Sequence, residues 1–84
     1  MEKEKVRQFI TKKLGMSIYR LSKEAGISFS VLYKALRGIS NISPSSAAKL
    51  MRAGLKWDIV RELVSKDIRT LGDLIQKEAK GGKK

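Results

Sequence analysis

Lys34, Arg37, Lys49, Arg52 and Lys56 lie in a stretch of chain without a carboxylate: no Asp or Glu occurs between Glu24 and Asp58. A cluster of serines lies among them. Cations with no anion nearby, mixed with short hydrogen-bond donors, suit a polyanion whose phosphates take both charge and donors. An ordinary solvated basic surface is the plainer account of the same residues. Other chemistry is closed off. The 84 residues include no His and no Cys, which removes the commonest general base, the commonest metal ligand, thiolate sites and disulfides. Asp58, Glu62, Asp67, Asp73 and Glu78 are spread along the chain with lysines or arginines nearby, as solvated ion pairs are. No nucleophile–base pair or phosphate loop occurs. The expectation is no enzyme, no metal and no cofactor.

Those residues need an element to present them. Residues 17–38, SIYRLSKEAGISFSVLYKALRG, read as two short helices joined by a tight turn at Gly26. A left-handed residue there costs about 1 kcal/mol if it carries a Cβ. This is the pattern of a helix-turn-helix, which sets its second helix into the DNA major groove. Leu21, Ala25, Ile27, Leu32, Ala35 and Leu36 are spaced to fill the space between the two helices. Ser22 stands where only a small side chain lets them approach.

The outward residues divide by position. Ser28, Phe29 and Ser30 occupy the first turn of the second helix, which points at base edges, and Lys34 lies one turn further on the same face. Lys34 reaches guanine O6 and N7 or a phosphate. Phe29 either meets a thymine methyl or covers the edge of the core; Val31 is a lesser candidate for a methyl. Tyr33 and Arg37 are expected on phosphate, with Arg37 alternatively serving as a helix-end cation. Ser40, Asn41, Ser43 and Ser45, in the following loop and helix start, are phosphate candidates, as are Ser17 and Tyr19. Ser43 and Ser45 also suit simple capping.

The whole chain reads as all-α, a bundle of five to six short helices, with no period-2 alternation. Gly15, Gly26, Gly38 and Gly54 each follow a helical run, where a C-terminal cap belongs. Helix 1 is expected over about Lys3 to Leu14, with Val6, Phe9, Ile10 and Leu14 inward. Ser17 and Ser28 cap helices 2 and 3, and Ser43 with Pro44 opens helix 4. A stripe of Trp57, Val60, Leu63 and Val64 predicts a helix to about Lys66, and Leu71, Leu74 and Ile75 a last one ending near Ala79, with Gly72 an early-turn residue or a break. Residues 1–79 are expected as one domain with a helical extension from about 67, and 80–84 as a disordered basic tail.

Net charge is +11. No apolar run reaches the roughly 18 residues of a membrane span, and the start, MEKEKVRQ, has no signal-peptide stretch. The expectation is a cytoplasmic, nucleoid-associated protein that meets no membrane and no small-molecule ligand.

From Leu21, Ser22, Gly26, Ile27, Leu32 and Ala35, through Gly38, to the SPSSAAKL of the fourth helix, the chain resembles the phage Cro and repressor family of helix-turn-helix proteins. The resemblance covers about Lys3 to Leu63. It places Phe29, Ser30 and Lys34 where that family reads bases, and Ser17, Arg37, Asn41 and Ser43 at or near its phosphate contacts. Ser22 stands where the family usually has alanine, Ile18 where many relatives carry a backbone-contacting glutamine, and the segment beyond about Lys66 has no counterpart. The resemblance implies a regulator, a repressor by steric exclusion of polymerase, binding a palindromic operator on double-stranded DNA as a homodimer. Trp57, Val60, Val64, Ile68, Leu71 and Ile75 are the dimer-surface candidates; completing the monomer core is the alternative for each. Two other functions fit the same fold: an antitoxin-like module whose C-terminal helices hold a protein partner, and a sequence-nonspecific nucleic-acid coat.

Overall fold

The computed structural model describes residues 3–81. It is all-helical among those residues. Helix α1 spans Glu4–Gln8 and continues as a π-helical turn over Phe9–Lys13; α2 spans Ile18–Ala25, α3 Phe29–Leu36 and α4 Pro44–Arg52. Helix α5 covers Trp57–Val60 and tightens into a 3-10 turn at Arg61–Leu63, followed by α6 at Lys66–Arg69 and α7 at Gly72–Gly81.

Serine side chains set the helix starts. Ser17, Ser28 and Ser43 have extended backbones, and their hydroxyls accept from the amides of Arg20, Ser30 and Ser46. Each satisfies an amide that the helix leaves without a partner. Pro44 follows at the first helical position, where its missing N–H costs nothing. Gly26 takes φ +75° and closes α2, with its own amide and that of Ile27 donating to the Ser22 carbonyl.

The core gathers Val6 and Ile10 from helix 1, Leu21 from α2, Leu32 and Leu36 from α3, Leu50 from α4 and Leu63 beyond α5, all at most 1% exposed. Ser22 is the buried polar residue between α2 and α3, and its hydroxyl donates to the Tyr19 carbonyl at 2.6 Å. Helix 1 does not finish as a regular α-helix. The Leu14 amide donates to Phe9 and the Met16 amide to Ile10, so the last turn widens before the chain enters α2.

The C-terminal third is divided more finely than its apolar stripe predicts. The helix expected to reach Lys66 stops at Leu63, because Val64 is extended and Ser65 caps a new helix by accepting from the Ile68 amide. The Leu63 carbonyl accepts instead from the Ile42 amide at 2.9 Å, tying the α3–α4 loop to this segment. Helix α7 lies along α4. Arg52 donates to the carbonyls of Glu78 and Ala79, at 3.0 and 3.4 Å. Gly72 opens α7 against the indole of Trp57; a Cβ there would sit 2.7 Å from the ring.

This packing corrects most of the expected dimer surface. Val60, Val64 and Ile75 are core residues of a single chain, 0%, 1% and 2% exposed. Trp57 and Ile68 are half-buried against that core. Leu71 remains exposed, and so does Leu74, at 39% and 63%. Lys80 and Gly81 belong to α7 rather than to a tail; the rest of the expected tail lies outside the described residues.

Candidate nucleic-acid interface

Helix α3 buries Leu32, Ala35 and Leu36 and turns its other residues outward. Phe29, Ser30, Val31, Tyr33, Lys34 and Arg37 are all exposed. The Ile39 amide donates back to the Lys34 carbonyl at 2.9 Å, ending the helix before the loop. The backbone amide of Lys3 donates to the Leu36 carbonyl at 2.7 Å. These two bonds hold the C-terminal end of α3, the Ser28 cap holds its start, and its inner face packs in the core.

The base-reading candidates lie together on that face. Ser28 is the cap; its oxygen accepts from the Ser30 amide at 3.1 Å, which leaves its O–H as a donor. Phe29 and Ser30 occupy the first turn and Lys34 the next. Among the backbone candidates, Ser17 likewise caps its helix and is exposed. Ser43 is more committed than its residue type suggests: its hydroxyl accepts from the Ser46 amide and donates to the Ser46 hydroxyl. Ser40, Asn41 and Ser45 are exposed around the α3–α4 connection. The nearest acid in sequence, Glu24, is exposed and lies 3.8 Å from Arg20 of its own helix.

The structure also assembles something the spacing rules treat as separate residues. Phe29 stacks on Tyr33 with ring centroids 5.7 Å apart and planes 25° apart. Tyr19 tilts against Phe29 at 5.9 Å and 56°. A cation closes each end of this row: the Lys23 ammonium lies 5.4 Å from the Tyr19 ring, and the Arg37 guanidinium 5.7 Å from the Tyr33 ring. Arg37 also donates to the Tyr33 hydroxyl at 2.8 Å. The Phe29–Tyr33 and Tyr19–Lys23 pairs are one helical turn apart and were findable from spacing. The Tyr19–Phe29 contact was not, because it depends on how α2 meets α3. Lys23 and Ile39 add to the exposed residues of this region, although residue type and spacing do not mark them as site residues; Ile39 is 67% exposed.

Residues 6–53 match the family described as Helix-turn-helix. The match runs from helix 1 through α4 and takes in the turn at Gly26 and the whole exposed face of α3. No curated protein and no solved structure matches the chain.

Proposed function

The chain belongs to the Cro- and repressor-type helix-turn-helix family, a family of DNA-binding regulators, and from that membership we propose a sequence-specific repressor that binds a palindromic operator as a dimer, with α3 in the major groove. Ser28, Phe29, Ser30 and Lys34 read bases in this proposal. Ser17, Tyr19, Tyr33, Arg37, Ser40, Asn41 and Ser45 hold the backbone, with Ser43 contributing through its main chain. The observation that carries the reading is the outer face of α3. It is exposed, unused by the core, and set in a stretch from Ala25 to Trp57 with no carboxylate.

Geometry supports two copies. One copy presents one α3, and its Cα envelope measures 27 × 26 × 20 Å. Successive major-groove faces are about 34 Å apart. Two copies reading two half-sites double the contacts and sharpen discrimination. With Val60, Val64 and Ile75 in the core, the surface proposed for pairing contracts to Leu71, with Leu74 added beside it.

The test is selection of bound duplexes from a random pool at about 150 mM salt, where nonspecific binding weakens. An enriched palindrome with half-sites about one turn apart is expected. A lone half-site removes the symmetric dimer. Binding without enrichment removes sequence-specific regulation.

A further inference from the structure

The row Tyr19–Phe29–Tyr33 sits on the proposed reading face, yet hydrogen-bond recognition of bases has no use for its middle member. Phe29 has neither donor nor acceptor. It is the first residue of α3, where recognition helices address base edges, and it is 42% exposed. Packing on Tyr19 and Tyr33 covers part of the ring and leaves a large apolar edge facing outward.

Its neighbours narrow what it can do. Tyr33 occupies the stacking position on Phe29, and Tyr19 leans against it from α2. A nucleotide base cannot stack where Tyr33 already does, so the row is a poor platform for unstacked bases. It offers instead an apolar ring held in place before any ligand arrives, which lowers the ordering cost of contact. The major groove presents one apolar group to such a ring, the C5-methyl of thymine. The cytosine edge carries no such group unless it is methylated.

We propose that this row is a methyl-reading site: Phe29, braced by Tyr19 and Tyr33, selects a pyrimidine C5-methyl in the major groove, whether on thymine or on 5-methylcytosine. The site rests on the reading of duplex DNA as the ligand of α3. Lys23 and Arg37 end the row as cations placed for the flanking backbone.

The test starts from the enriched duplex. Each T·A pair is replaced in turn by U·A, C·G and 5-methylcytosine·G, and affinity is measured by fluorescence anisotropy at constant salt. At one pair per half-site, U·A binds about fourfold more weakly than T·A for the methyl lost, and 5-methylcytosine·G binds about fourfold more tightly than C·G for the methyl gained. In Phe29→Ala, whose fold is checked by its thermal melt, the thymine–uracil difference disappears. Three outcomes overturn the proposal: uracil matching thymine at every position, 5-methylcytosine binding as weakly as cytosine, or a methyl preference that survives in a folded Phe29→Ala protein. The first two are read on the unaltered protein and do not depend on the variant. An enriched duplex that is indifferent to methyl groups overturns this site alone; failure to enrich any duplex overturns the DNA reading with it.

Discussion

Helices α3 and α7 are close in length, 8 and 10 residues, and both bury one apolar face, but they differ in what they leave outside: three large apolar residues on α3, two of them aromatic, against Leu74 alone on α7. Helix α3 leaves Phe29, Val31 and Tyr33 at 38–42% exposure. Helix α7 sends Ile75 and Ala79 into the core and has its last carbonyls taken by Arg52 of α4. These half-covered rings still present apolar area that burial in the core does not use, and that area is available to a ligand. Buried Ile75 contributes mainly to folding. In the proposed function, recognition falls to the outer face of α3, while the inner faces of α3 and α7 both serve the core; α4 braces α7 on one side and follows the α3–α4 loop on the other. Changes on the buried face of α7 are expected to alter melting and spare affinity. Changes on the outer face of α3 are expected to do the reverse.

The largest effect is expected from Ile75→Ala. Removing three carbons at 2% exposure leaves a cavity that costs about 2–5 kcal/mol. For a domain of this size the thermal midpoint falls by roughly 8 °C or more. Duplex affinity, measured well below that midpoint, stays within about twofold of the parent. If affinity fell as far as stability, α7 would be part of the recognition apparatus and the division would fail.

Gly72→Ala probes the same side more gently. The new methyl would lie 2.7 Å from the Trp57 ring, too close for both to stay. Overpacking of this kind costs about 1–3 kcal/mol. Trp57 is the single tryptophan, so its emission reports the displacement directly. A red shift together with a lower melt is expected; an unchanged spectrum with an unchanged melt would show that Trp57 does not depend on this seat.

The two regions also differ in how far they can be read from the residues alone. Helices α2, α3 and α4 begin at Ser17, Ser28 and Ser43, where capping chemistry places them, because a cap acts within its own turn. The stripe from Trp57 to Val64 has correct periodicity and a wrong ending. Its break at Val64 accompanies the bond from the Ile42 amide to the Leu63 carbonyl, a partner 21 positions away that no local rule supplies. The same limit applies to the dimer candidates. Apolar spacing marks a buried face without saying whether the same chain or a second copy buries it, and for Val60, Val64 and Ile75 it is the same chain. On the reading face, single residues were visible and their assembly was not: Phe29 and Tyr33 share a helix, whereas Tyr19 arrives from α2.

On α3 itself the comparison sharpens to two cations one turn apart in role. Lys34 is exposed, on the turn after Ser30, and is assigned to bases. Lys34→Ala is expected to weaken the cognate duplex by about 1–3 kcal/mol and to relax preference at one base position, with the melt unchanged. Repeating the selection with the variant checks it: a position whose preference broadens identifies the Lys34 contact, while uniform weakening across sequences would move Lys34 to the backbone.

The smallest expected effect belongs to Arg37, and it separates charge from packing. Arg37 caps the outer end of the ring row, donating to the Tyr33 hydroxyl at 2.8 Å and lying over that ring. As a phosphate contact it adds about one to the slope of log affinity against log salt, so Arg37→Ala flattens that slope by about one and weakens all duplexes alike. Arg37→Lys keeps the charge and loses the planar fork that serves both the hydroxyl and the ring. If Arg37 acts only through charge, the lysine variant restores slope and affinity together. If it also steadies Tyr33, the lysine variant restores the slope but not the full discrimination between thymine and uracil. The recognition face is then a braced row from Tyr19 to Arg37, and its last member holds the backbone while keeping the reading ring in place.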